Sequence, residues 1–192
     1  MLVRMGLGKV ETNHMEYMTF PSPMGEMLIV ARENAIAGVY FVGQKYAPAI
    51  PSTWSKCPDN ALLQRTRTQL LEYFDGNRQT FDLPVHPVGT LFQRAVWDTL
   101  GKIPFGTTTT YGRLAETLGG ATKTRAVGTA IGRNPCSIVI PCHRVLGADG
   151  SLTGYAGGLE RKRALLALEN IRVAESQLEL NVDLHMAGSG VL

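Results

Sequence analysis

The stretch Asn134-Pro135-Cys136-Ser137-Ile138-Val139-Ile140-Pro141-Cys142-His143-Arg144-Val145 decides how this chain is read. Residues 137–140 hold three β-branched apolar side chains between two prolines, which predicts a short buried strand stopping at Pro141. Cys142, His143 and Arg144 follow at once, and unpaired polarity beside an apolar strand is costly. Adjacent side chains on extended backbone point to opposite sides. His143 is therefore expected to reach the Cys142 sulfur through a bridging water rather than directly. Taken alone, Cys142 also reads as an inert buried thiol, and His143 as a hydrogen-bonded core histidine.

Outward from this stretch the chain reads as helices. A glycine-rich loop at 147–158 leads into a last helix of about 159–169 that ends at Glu169. A carboxylate in a last turn faces the negative end of the helix dipole, at a cost of about 0.3–1 kcal/mol, so Glu169 is expected to have a compensating partner unless it is a solvated surface group. A third group that orients a histidine is the usual logic of an activated nucleophile. Upstream, Thr122 is placed as the cap of a helix that runs to Arg133 or Asn134 and is ended by Pro135. A shorter helix at 112–118 is stopped by Gly119-Gly120, and an extended TTTTY segment precedes it. Two short helices around a glycine turn resemble a helix-turn-helix. Gly and Ala at 126, 128, 130 and 132 let the second helix approach either another helix or a nucleic-acid backbone closely. Thr90 caps a further helix over about 91–101.

The first half reads differently. MEYMTF, EMLIVAR and AIAGVYFV, separated by a Pro-Ser-Pro-Met-Gly turn and by Glu33-Asn34, predict an antiparallel meander from Met15 onward. Residues 43–58 read as loop, and Asp59 as the cap of a helix to about Phe74, with Leu62, Leu63, Leu70, Leu71 and Phe74 on its apolar face. TFDLPVHPVG reads as a short edge strand followed by a linker. The expected division is a leader at 1–14, an N-terminal domain at 15–86, a second domain at 88–171 and an acidic tail at 172–192.

Composition bounds the function. The chain has 192 residues, 44% hydrophobic and 18% charged, which suits a globular protein and argues against disorder or a coiled coil. Cysteines at 57, 136 and 142 make neither a disulfide framework nor a four-cysteine zinc site, and a reduced cytoplasmic setting is expected. No apolar run is long enough for a membrane span or a signal peptide. The net charge is only +3, but it is unevenly spread. Residues 90–172 carry eleven basic and five acidic side chains, while 173–192 carry three acidic and no basic ones. The second half is thus where a polyanion would dock.

The residues of 134–145, followed by GADGSLTGYAGGLERKRALLALE at 147–169, resemble the O6-alkylguanine-DNA alkyltransferases, the methylated-DNA–protein-cysteine methyltransferases. FQRAVWDTL (92–100), IPFGTTTTYGRLAETLG (103–119) and TRAVGTAIGRNP (124–135) match the same family in order, and the PCHRV and GYAGG elements are specific to it. The resemblance implies an α+β fold: an RNase H-like antiparallel sheet with a helix, then a helical domain with a winged helix-turn-helix-like element. It implies that Cys142 accepts the alkyl group, with His143 (through a water) and Glu169 making it a thiolate that titrates below the free value of about 8.5. Asn134 would brace the active-site turn, and Tyr111 would protonate the guanine as the alkyl group leaves. Arg125 would fill the gap left by the flipped base, beside Thr124 and Ala126, with Lys123 and Arg133 on phosphates. Val145, Tyr155, Ala156 and Gly157 would line the base pocket, the small Ala156 making it tolerant. No cofactor or metal is implied. The zinc-binding residues of some animal members and the second cysteine-rich module of bacterial adaptive-response regulators have no counterpart. The implied partner is double-stranded DNA carrying O6-alkylguanine, or O4-alkylthymine, approached from the minor groove by a monomer. The alternatives are a lesion-binding protein without chemistry, which would lack the cysteine, and a Cys-His-Glu hydrolase, for which no oxyanion-hole signature is seen.

Overall fold

The computed structural model describes residues 14–173. The leader at 1–14 thus lies, but for His14, outside the described residues, as does the acidic tail beyond residue 173. Strands β1 (Met15–Ser22), β2 (Gly25–Arg32) and β3 (Ala35–Phe41) form the expected antiparallel meander. Glu33 and Asn34 both take positive φ, 51° and 63°, the backbone a two-residue hairpin needs to match strand twist. The segment expected to be all loop contains one more strand, β4 (Ser55–Lys56), which pairs parallel to β1 and gives the sheet order β3-β2-β1-β4.

Helix α1 (Ala61–Phe74) lies against this sheet and buries Leu63, Leu70, Tyr73 and Phe74. Its cap is Asn60, not Asp59. The Asn60 side chain accepts from the backbone N–H groups of Leu62 (2.9 Å) and Leu63 (3.1 Å) and donates to Glu16 on β1, so the position also ties helix to sheet. No edge strand forms after α1. Only Val85 bridges to Ile36, because Pro84 and Pro87 have no N–H with which to extend a ladder.

Helix α2 (Leu91–Leu100) starts with a capping box between Thr90 and Gln93. The Trp97 indole donates to the Ala130 carbonyl at 2.9 Å and so locks α2 to the helix that carries the basic residues. Strand β5 (Thr109–Thr110) leads into α3 (Tyr111–Thr117); Gly119 and Gly120, at φ 108° and 125°, end that helix. A 3-10 turn (Ala121–Lys123) then runs straight into α4 (Thr124–Gly132). Thr122 therefore caps nothing: the chain is already helical where the cap was expected. Strand β6 (Val145–Leu146) pairs parallel with β5, and α5 (Leu159–Leu168) closes the described chain, with Glu169 as its C-cap. One continuous apolar core joins the sheet and α1 to Val96, Leu114, Val127, Ile131 and Leu165.

The stretch that decided the reading departs from expectation. Residues 137–140 form no strand but a compact turn, anchored by Ser137 N–H on Val39 O (2.8 Å) and by Ile140 N–H on Cys136 O (2.9 Å). Ile138 sits at φ 72°, a left-handed conformation that a β-branched residue adopts only under constraint. Nor is Cys142 on extended backbone: Cys142–Arg144 is a 3-10 turn, and strict alternation of side chains does not apply there.

Candidate active site

Asn134, just past the end of α4, holds this turn by its side chain. Its Oδ1 accepts from Cys136 N–H (3.0 Å), while its Nδ2 donates to Ile140 O (2.8 Å) and to Cys142 Sγ (3.1 Å). A buried amide, 4% exposed, thus supplies the backbone partners that a ladder would otherwise give, and aims one N–H at the sulfur. The strain at Ile138 persists because Asn134 and Val39 fix the turn from both sides.

Cys142 is 5% exposed. Burial pushes its thiol above the ordinary range, opposed by the Asn134 hydrogen bond and the Lys162 charge. Desolvation and the donors around the sulfur thus act in opposite directions on the thiolate that the resemblance implies. No direct hydrogen bond joins Cys142 to His143. The His143 Nδ1 is buried without a protein partner among the described residues, and its Nε2 faces Glu169 Oε1 at 2.8 Å. With Nε2 holding the proton for Glu169, Nδ1 presents a lone pair. Burial lowers the pKa of His143, against the pull of Glu169, so the ring is neutral at pH 7.

Glu169 is 1% exposed and has partners on both oxygens. Oε1 accepts from Tyr73 Oη (2.7 Å), His143 Nε2 and Arg144 Nη2 (2.9 Å); Oε2 accepts from Arg144 Nε (2.8 Å) and Gly106 N–H (3.2 Å). Burial alone would raise its pKa, but the bonds from His143 and Arg144 hold it down at about 2. The compensating partner expected for a carboxylate at a helix C-terminus is thus a bidentate arginine. Arg144 also donates to Ile103 O (2.6 Å) and lies over the Phe105 ring.

Two buried groups here escaped the sequence reading. Tyr73 lies inside α1, one residue off the apolar stripe that was counted, and nothing local marks it as polar-facing. Lys162, fully buried, donates to Val145 O (2.5 Å) and Thr153 O (2.6 Å), tying β6 to the glycine-rich loop. Burial lowers its pKa to about 8. A lysine in ERKR reads as solvated surface, and only the fold turns it inward.

Tyr111 stands in the first turn of α3, its hydroxyl 3.3 Å from Gly154 O and 3.4 Å from Thr153 O, within electrostatic reach of Cys142. Tyr155, partly buried, interacts with Cys142 in the same way, and burial raises its phenol well above the usual value. Val145 is buried on β6, and Ala156 O accepts from Lys45 N–H at 3.0 Å. At Gly157 a Cβ would stand 2.6 Å from the Tyr155 ring, so glycine is what lets that ring fold against the loop. Arg125 and Ala126 are exposed in the first turn of α4, with Thr124 half-buried beside them. Lys123 is exposed, but its Nζ donates to Leu118 O (2.9 Å) at the end of α3. Arg133 lies beyond the other end of α4, over the Tyr46 ring. The fold therefore gathers Cys142, His143, Glu169, Asn134, Tyr111, Tyr155 and Val145 about one turn, and sets Arg125 on the open face of α4, apart from Arg133. A cleft of about 570 Å³, lined by Phe81, Trp97, Phe105, Ile138, Pro141 and Arg144 among others, borders the same turn and does not include Cys142.

Residues 91–171 match the family model for the DNA-binding domain of 6-O-methylguanine DNA methyltransferase, and 15–87 that for its ribonuclease-like domain. The methylated-DNA–protein-cysteine methyltransferase of Haemophilus influenzae is 44% identical over 156 residues, 81% of this chain and 86% of the relative. That of Methanosarcina acetivorans is 43% identical over 155 residues, 81% of this chain and 98% of the relative. The crystal structure of Mycobacterium tuberculosis OGT in complex with DNA superposes with a TM-score of 0.76 at 41% identity, covering 81% of this chain and 93% of that one. Two matched domains and a cysteine held at the heart of the second agree: the chain belongs to the methylated-DNA–protein-cysteine methyltransferases, which repair alkylated DNA by taking the alkyl group onto a cysteine of their own.

Proposed function

We propose that Cys142 is the accepting cysteine and that the groups around it act as follows. The observation that carries this is Cys142 Sγ bonded to Asn134 in a strained buried turn, next to a His143–Glu169 pair whose free Nδ1 can take a proton. The thiol proton passes to Nδ1, with one water sufficing as relay, and Glu169 stabilises the imidazolium. Sγ attacks the alkyl carbon on guanine O6, the C–O6 bond breaks, and its electron pair withdraws into the purine. Tyr111 gives a proton to N3, so that neutral guanine leaves. Proton transfer coupled to substrate binding suits a thiol held above its ordinary pKa. The thioether has no leaving path in water, so each molecule acts once.

The reacting atom is inside a duplex, and the target nucleotide must be flipped out at a cost of a few kcal/mol. The small-residue face of α4 fits a minor groove, and Arg125 at its start fills the vacated space. Lys123 and Arg133 serve phosphates. Tyr155, Val145, Ala156 and Gly157 wall the base, and O4-alkylthymine fits the same chemistry. The protein works as a cytoplasmic monomer. Cys142→Ala tests the assignment: it is expected to abolish methyl loss from a duplex containing O6-methylguanine while binding that duplex nearly as the wild type does. Methyl loss by this variant would overturn it.

A further inference from the structure

Oε1 of Glu169 accepts three hydrogen bonds, and one comes from outside the second domain. Tyr73, on α1 of the ribonuclease-like half, is fully buried and donates to this oxygen at 2.7 Å. It competes there with His143 Nε2 at 2.8 Å, and the two donor atoms are 3.5 Å apart. The ring is seated by Phe74, Phe81 and Phe105, with centroids 5.6–6.3 Å away, so the hydroxyl has one place to point.

We propose that Tyr73 is a positioning residue for alkyl transfer: through Glu169 it sets how strongly His143 can draw the proton from Cys142, so that the N-terminal domain tunes the reactive sulfur. A donor on a carboxylate oxygen withdraws charge from it. With Tyr73 and Arg144 both bonded to Oε1, less charge is left to stabilise a protonated His143. Tyr73 thus acts as a brake that keeps the imidazole neutral until substrate arrives. The other titratable or charged groups facing this cluster are Arg144 and Cys142 on the 3-10 turn, Lys162 on α5 and Tyr155 on the loop. None of these side chains hydrogen-bonds to Tyr73.

The inference rests on Cys142 being the acceptor. Its test is the rate of transfer from free O6-benzylguanine to the full-length chain against pH, with the modified residue located by peptide mass. Tyr73→Phe removes one oxygen. The fuller charge left on Glu169 favours the protonated imidazole, so the midpoint of the rate profile is expected to move up by about half a pH unit or more. Replacing Tyr73 with 3-fluorotyrosine, nearly isosteric and a stronger donor, moves it down; this second variant decides if the first does not fold. A purely structural Tyr73 would change stability and leave both midpoints where the wild type has them, and that result, or shifts of the same sign, overturns the inference. Absence of wild-type transfer to Cys142 would instead overturn the proposed function.

Discussion

Glu169 is bonded at once to the buried Arg144 and to the histidine beside Cys142, so the stability of the fold and the proposed chemistry meet in one residue. A buried ion pair adds little over an apolar pair, but breaking one strands a charge, typically at about 3–5 kcal/mol. Glu169→Gln is expected to destabilise the fold by an amount of that order, read by urea denaturation, and to slow transfer because His143 loses its counter-charge. The pH dependence follows in sign. His143 has a folded pKa below its ordinary 6.5, so the unfolded chain binds the proton first, and stability falls as pH drops below about 6.5. Glu169 has a folded value of about 2 against an ordinary 4.5, so its contribution is full above 4.5 and is lost as pH falls toward 2. Denaturation midpoints between pH 7 and 3 should therefore decline in two windows, and Glu169→Gln should lack the lower one. A flat profile across both would contradict the buried neutral histidine and the paired carboxylate.

At the scale of elements, the proposed roles place docking on α4 and chemistry on the turn at Cys142. If Arg125 fills the space of a flipped nucleotide, Arg125→Ala should slow repair of duplex DNA at least tenfold and leave transfer from free O6-benzylguanine within about twofold, one decade of rate being about 1.4 kcal/mol. Equal losses on both substrates would return Arg125 to a role in the pocket or the fold. Arg133→Ala should instead weaken binding to every sequence and reduce the salt slope by about one. Much of this level was legible in the residues. The meander, the Thr90 cap of α2 and the glycine stop of α3 are set by local rules, and Glu169 was marked by its unfavourable place at a helix end. Asp59 misled because two capping residues stood side by side and the choice turned on a tertiary partner, Glu16, and Thr122 misled because the chain is already in a 3-10 turn where a cap was expected. The apolar run 137–140 misled because side-chain bonds from Asn134, invisible in a hydrophobic pattern, replace a ladder.

At the scale of the molecule, the two halves meet at the proposed catalytic cluster: the Tyr73 hydroxyl comes from one, and Glu169, His143 and Arg144 from the other. Such long-range pairing leaves no local trace, which is why Tyr73 and Lys162 went unmarked while Cys142, His143 and Asn134 were recognised from their motif. What stands behind every role assigned above is that one sulfur, Cys142, receives the alkyl group. The most direct test is mass spectrometry of the protein and its peptides after incubation with duplex DNA containing O6-methylguanine. The expected result is a gain of one methyl per molecule, on the peptide containing Cys142, with no further gain at excess substrate. A methyl on the peptide of Cys57 or Cys136, or an unmodified protein that still removes the lesion, would contradict the account.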